Sequence, residues 1–225
     1  MNQNQIRARK FGIASLVLLL LFLTWAILVA TSQPVINSFD KTLINVIVNH
    51  NETNLIFARS ITVVGNTKTM TVLTIIAAAL LLLIKRYPLA LYFAGTMALA
   101  NLTNSIVKHI IKRPRPTAHH LVHAGGYSFP SGHSIGSITF FSLLIIVTII
   151  LVKSHVLQTL ATLIFGSMPI LIGYSRIYLH VHFPSDVLGG FLLGLTFIMV
   201  SLYLYYRYRL SFNPTSTPFA RDSLN

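Results

Sequence analysis

The chain has 225 residues, 54% of them hydrophobic and 9% charged, whereas a soluble domain carries roughly a quarter charged residues, so an ordinary soluble globule is excluded and a membrane protein is indicated. Its net charge of +13 arises from 17 Lys and Arg set against 4 acids, a balance that suits anionic lipid or a phosphorylated substrate. Nucleic acid is excluded as a partner because no long polar basic surface remains once the apolar runs are set aside. Cysteine is absent, which removes disulfides, thiolate metal sites and a cysteine nucleophile.

In chain order, the first apolar run, Phe11 to Thr31, follows Arg7, Arg9 and Lys10. Its apolar core of about twenty residues suits a bilayer-crossing helix better than the shorter apolar region of a cleaved signal. Ile36, Phe39, Leu43 and Ile47 then recur at helical spacing, as do Ile56, Phe57, Ile61 and Val64 before Gly65-Asn66, predicting two short helices along the outer membrane interface. They serve either as packing caps or as a route for lipid entry. Five further spans are expected at Thr69–Ile84, Leu89–Val107, Ser134–Val152, Leu157–Tyr174 and Val187–Tyr206. The expectation is an all-α fold, a bundle of six transmembrane helices in a single domain over residues 1–225, with no internal repeat or linker. Tyr203, Tyr205, Tyr206 and Tyr208 suit an interfacial aromatic belt. Gly132-x3-Gly136 and Gly190-x3-Gly194 suit helix packing first and a dimer contact only second.

Basic residues near span ends stay preferentially cytoplasmic. One side collects Arg7, Arg9, Lys10, Lys85, Arg86, Lys153, Arg207, Arg209 and Arg221; the other collects Lys41, Arg59, Lys68, Lys108, Lys112, Arg113, Arg115 and Arg176. Five of the second set fall in the stretch from Lys108 to Arg115 and at Arg176, where a functional role explains the charge. Setting those aside, both termini are expected inside a cell membrane, with the charged clusters facing outward.

Three polar clusters interrupt the apolar pattern: Lys108 to Pro116, then Pro130-Ser131-Gly132-His133, then Ser175-Arg176 followed by His182 and Asp186. Ionisable groups at span ends are costly and so mark function, and the alternation of spans brings all three clusters to one face. Lys108, Arg115 and Arg176 offer fixed charge, the arginines with forks that grip phosphate oxygens. Ser131 and Gly132 stand where a helix begins, and its free N–H groups face an anion there. Phosphoryl transfer needs a nucleophile and a proton donor for the leaving oxygen. Asp186, four residues beyond His182, can turn back to bond one imidazole nitrogen if a helix begins near Pro184. The other nitrogen is then free to attack, which makes His182 the better nucleophile and His133 the better acid.

The elements Lys-x6-Arg-Pro, Pro-Ser-Gly-His and Ser-Arg-x5-His-x3-Asp, in this order between residues 108 and 186, resemble the signature of the type 2 phosphatidic acid phosphatase family. The resemblance is good over about residues 69–206 and loose over the first 68. It implies a six-helix membrane fold, hydrolysis of a phosphate ester or anhydride without metal or cofactor, and a phosphohistidine intermediate. Residue by residue it implies phosphate binding by Lys108, Arg115, Ser131, Gly132 and Arg176, acid catalysis by His133, and a nucleophile, His182, oriented by Asp186. The pattern of spans resembles bacterial members acting on phosphatidylglycerol phosphate and undecaprenyl diphosphate.

His50, His109, His119, His120, His123, His155 and His180 are expected to be interfacial hydrogen-bonding residues, although His119, His120 and His123 border the cradle loop and could touch substrate. The pairs His119-His120 and His180-Val-His182 argue only weakly for zinc, because cysteine is absent and acids are few. Arg113-Pro114 nearly duplicates Arg115-Pro116, and only the spacing from Lys108 favours the second; Lys112 and Arg113 are expected to meet lipid headgroups. The expected partners are membrane lipids and a lipid phosphate or diphosphate, with undecaprenyl diphosphate first and phosphatidylglycerol phosphate or phosphatidic acid next. Transfer of phosphate to an acceptor other than water is the alternative reaction.

Overall fold

The computed structural model describes residues 3–49, 51–117 and 119–208; His50, Arg209 and Arg221 lie outside the described residues. Every regular element described is helical: α1 (Gln3–Ala30), α2 (Pro34–Ile47), α3 (Glu52–Val64), α4 (Thr67–Leu83), α5 (Tyr87–Ile111), α6 (Gly132–Leu151), α7 (His155–Tyr178) and α8 (Pro184–Tyr208). Local chemistry sets the boundaries. Asn51 caps α3 by accepting from Thr53 N and Asn54 N at 2.9 and 3.3 Å, and Asn66 caps α4 by accepting from Lys68 N at 3.2 Å. Ser131 and Ser154 do the same for α6 and α7. Pro34 enters α2 near its first position, where its missing N–H costs nothing.

Each expected span corresponds to one helix, although Thr31, Ile84 and Val152 lie one residue past the ends of α1, α4 and α6. By length and apolarity, however, four helices qualify to cross a membrane, α1, α6, α7 and α8, and a fifth crossing arises if α3 and α4, bent by 48° at their junction, are one broken span. Helix α4 alone has 17 residues, about 26 Å at 1.5 Å per residue, which is short of the ~30 Å hydrocarbon layer. Helix α5 is long enough but carries Asn101, Thr103, Asn104, Ser105, Lys108 and His109 in its second half. Leu20, Ile27, Leu91, Leu102, Leu163 and Ile170 project from the bundle, an apolar exterior that fits lipid rather than water.

The interior is organised around α6. Phe93 and Leu89 of α5, Phe140 and Leu143 of α6, Ile172 of α7 and Ile198 of α8 form one buried cluster, while Phe22, Ala26 and Val29 of α1 join Ile135, Phe129 and Leu193 in another. The stripe expected on α3 is split, with Ile61 and Val64 packed against the first cluster. Ala58 and Thr62 are the buried residues of that helix, whereas Ile56 and Phe57 are 60% and 42% exposed, because α3 turns a small-residue face to α7 and apolar side chains can point into lipid.

Glycines on α8 set how closely α6 approaches. A Cβ on Gly190 would lie 2.8 Å from the carbonyl oxygen of Ser131 and from Ser134 Cβ, and one on Gly194 would lie 3.0 Å from Thr139 Oγ1. The Gly-x3-Gly pattern is thus consumed by packing within the chain. Overpacking of this kind costs about 1–3 kcal/mol. Gly190→Ala should lower the melting temperature in detergent and reduce activity, while Gly95→Ala, whose Cβ would meet nothing within 4 Å, should leave both near the parent values; thermal denaturation of the purified variants checks this.

Candidate active site

The last turn of α5, the loop leading to α6, the first turn of α6, the end of α7 and the α7–α8 loop converge at one end of the bundle. This end holds a concentration of buried polar residues: Asp40, Thr62, Asn104, Ser128, Ser131, Ser175, Arg176, His182, Ser185 and Asp186. The loop backbone is secured by hydrogen bonds from Ser131 N to Asp186 O at 3.0 Å and from Ser128 N to Arg113 O at 2.8 Å.

His182 is 3% exposed. Its Nδ1 lies 3.4 Å from Asp186 Oδ2 and 3.3 Å from Ser128 Oγ, and its Nε2 lies 3.1 Å from Arg115 Nη1. A guanidinium can only donate, so Nε2 accepts and the ring proton resides on Nδ1, facing the carboxylate. Burial pushes the His182 pKa down to about 3; Asp186 pulls it upward, and Arg115 and Arg176 oppose that pull. At neutral pH the ring is therefore uncharged, with an available lone pair on Nε2.

Asp186 has no exposure and uses both oxygens. Oδ1 accepts from Arg113 Nη1 at 2.7 Å; Oδ2 accepts from Phe183 N at 2.8 Å and from Ser128 Oγ, besides facing His182. A carboxylate so buried requires this many donors.

The cations approach the same point. Arg115 donates from Nε to Gly126 O at 3.1 Å, from Nη2 to Gly125 O at 2.8 Å and from Nη1 to Val181 O at 2.6 Å; burial lowers its pKa, and Asp186 partly offsets that. Lys108 Nζ donates to Tyr127 O at 2.6 Å and Ser128 O at 3.3 Å. Arg176, 4% exposed, donates from Nη1 to Thr62 Oγ1 at 2.7 Å, and its buried Nε has no partner among the described residues. His133 packs beside Gly65, and Arg176, His182, Arg115 and Lys108 are all close enough to act on it electrostatically. Three cations that act electrostatically on the two imidazoles, with one carboxylate behind them, favour an anion at this end of the bundle. Gly132 opens α6 with no room to spare, since a Cβ there would lie 3.2 Å from Asn104 Nδ2.

Arg113 corrects an expectation. It does not meet lipid headgroups: its Nη1 bonds Asp186 Oδ1 and Ser185 Oγ at 2.7 Å each, its Nη2 bonds Asp40 Oδ2 at 2.8 Å, and its guanidinium lies 4.2 Å from the centre of the Phe183 ring. Asp40, Ser128 and Thr62 were likewise not singled out by spacing. Asp40 did carry a signal, as one of only 4 acids in the chain and set in an otherwise apolar stripe. His120 bonds Pro116 O at 2.8 Å and His180 meets His119 O at 3.3 Å, so these histidines knit the loops. Among the described residues no three His or acidic side chains are placed to share a metal ion.

Residues 89–210 match the family model described as PAP2 superfamily. Phosphatidylglycerophosphatase B of Bacillus subtilis is 41% identical over 100 residues, covering 42% of this chain and 47% of that protein. Lipid A 1-phosphatase of Rhizobium etli is 28% identical over 142 residues, covering 58% and 57%. The chain thus spans about half the length of the curated relatives it matches. Among solved structures, the transmembrane PAP2 type phosphatidylglycerolphosphate phosphatase from Bacillus subtilis superposes with a TM-score of 0.78 at 28% identity, over 88% of this chain and 97% of that one. Aquifex aeolicus LpxE gives 0.54 at 25% identity, over 72% and 93%. With the family match covering more than half of its length and a membrane relative sharing nearly the whole fold, this multi-pass membrane chain belongs to the PAP2 superfamily, the type 2 phosphatidic acid phosphatases.

Proposed function

We propose that the chain is a single-domain, six-span lipid phosphatase that works without metal, with its termini in the cytoplasm and its site at the outer membrane–water interface. The observation that carries this reading is the placement of His182, backed by Asp186 on one nitrogen and turned toward Arg115 with the other. In the proposed reaction Lys108, Arg115, Arg176 and the N–H groups at Ser131-Gly132 hold the phosphate and neutralise charge as it develops. His182 Nε2 forms the bond to phosphorus, the lipid oxygen departs, and His133 supplies its proton. Asp186 stabilises the imidazolium character of His182 during transfer. His133, now a base, takes a proton from water, which attacks the phosphohistidine and releases inorganic phosphate.

The cradle selects a phosphate and the bilayer an apolar tail, which leaves two substrate readings. Undecaprenyl diphosphate suits an outward-facing site. Phosphatidylglycerol phosphate is favoured by the names of the Bacillus subtilis relatives. Phosphate release from a panel of these lipids and phosphatidic acid, in detergent, ranks them; recovery of phosphate on an added alcohol would instead reveal transfer.

Topology can be tested on a chain that has no cysteine of its own. An impermeant thiol reagent applied to intact cells should label Thr117→Cys, an exposed position near the site, and spare Lys153→Cys in the opposite loop; the reverse pattern would invert the assignment.

Because fixed cations do the work of a metal, hydrolysis should persist in chelator and vanadate should inhibit it. Activity abolished by chelator and restored only by zinc or magnesium would overturn the metal-free reading.

The two histidines should separate in single-turnover kinetics. His182→Ala should form no phosphoenzyme from any substrate. His133→Ala should lose about 10²–10⁴-fold in leaving-group release from a lipid phosphate, and much less from p-nitrophenyl phosphate, whose leaving oxygen needs no proton. An equal penalty across leaving groups would show that His133 is not the acid.

A further inference from the structure

The interfacial helix α2 reaches into the site through a single side chain. Asp40 is 4% exposed. Its Oδ1 accepts from Ser185 N at 2.7 Å, and its Oδ2 accepts from Ser185 Oγ at 2.7 Å and Arg113 Nη2 at 2.8 Å. The other arm of the same guanidinium holds Asp186 Oδ1 at 2.7 Å. Trp25 of α1 closes the ring from outside by donating to Ser185 O at 3.0 Å. Asp40 lies outside the stretch that matches the family, residues 89–210, and is far from the signature in sequence.

We propose that Asp40 is a positioning residue for phosphoryl transfer, acting through Arg113 on Asp186 and so on His182; this rests on the reading of His182 as nucleophile. Two physical effects combine. Asp40 satisfies a free N–H in the first turn of α8, which fixes Asp186 one residue further on. It also shares the charge of Arg113. A guanidinium paired with Asp186 alone would neutralise the carboxylate that must stabilise the imidazolium character of His182 in the transition state. Held between two carboxylates, Arg113 leaves the group with a net negative charge facing His182, while the fork geometry points Asp186 Oδ2 at Nδ1. Ser185, bonded by both Asp40 and Arg113, fixes their spacing.

The test is single-turnover release of the lipid alcohol from phosphatidic acid in mixed micelles, with enzyme in saturating excess. An inactive fraction of protein does not change that rate constant, whereas loss of positioning does. Hydrogen bonds to charged groups are worth enough that Asp40→Asn, which keeps the shape and removes the charge, should slow release by ~10–100-fold. Steady-state KM should change by less than about 3-fold, since Asp40 is not a phosphate ligand in this reading. Asp40→Glu should recover part of the rate. In an Arg113→Gln background, Asp40→Asn should cost little more, because the route through Arg113 is already cut. Should Asp40→Asn fail to fold, Arg113→Lys, which keeps the charge but cannot bridge both carboxylates, should show the same slow release at near-normal KM. A parental rate constant in Asp40→Asn, or losses that multiply in the double variant, would overturn the proposal while leaving the nucleophile intact; absence of phosphoenzyme at His182 in the parent would overturn both.

Discussion

A carboxylate shut away from water at the edge of a membrane is tolerable only if its oxygens are surrounded by donors, and the polar end of this protein is arranged around meeting that condition for Asp186. The donors come from separate places in the chain: Arg113 and Ser128 from the α5–α6 loop, Phe183 N–H and His182 from the α7–α8 loop. Satisfying one acid therefore ties two loops together. It also orients the imidazole and fixes its tautomer, so the geometry of His182 follows from the same constraint that stabilises the loops.

Helix packing brings the remaining groups within reach. Small residues on α8 allow α6 to approach closely enough that Ser131 N–H bonds Asp186 O. The first turn of α6, with Gly132 and His133, consequently opens beside His182. Gly65, where α3 gives way to α4, meets both Ile172 and His133, so the bend between those helices helps fix the second histidine. Arg176 is anchored from α3 through Thr62. The segment between α1 and α4 is thus part of the site's architecture as well as a cover for the bundle.

The charge distribution separates two environments. The flanks of the bundle expose Leu, Ile and Val to lipid, while the buried cations collect at one end with Asp186 and Asp40 as their neighbouring acids. An excess of positive charge held at partial burial is unfavourable by itself and is relieved by any anion that neutralises it, so the proposed phosphate would offset a cost already present in the fold.

By itself the sequence determined what depends on neighbours along the chain. Apolar runs located the long helices, and a four-residue interval placed Asp186 beneath His182, because each is settled within a few turns of backbone. Alternation of helices further implied that Lys108, Arg115, Ser131, Gly132, His133 and Arg176 meet at one end. Spacing from Lys108 already favoured Arg115 over Arg113, but the tertiary structure alone showed where Arg113 goes, bridging Asp40 and Asp186 while Arg115 faces His182. It likewise decided which face of α3 is buried, since in lipid an apolar side chain is as much at home outside as inside. Which partner a buried charge finds across 73 or more residues depends on where distant helices cross, and no local spacing carries that information.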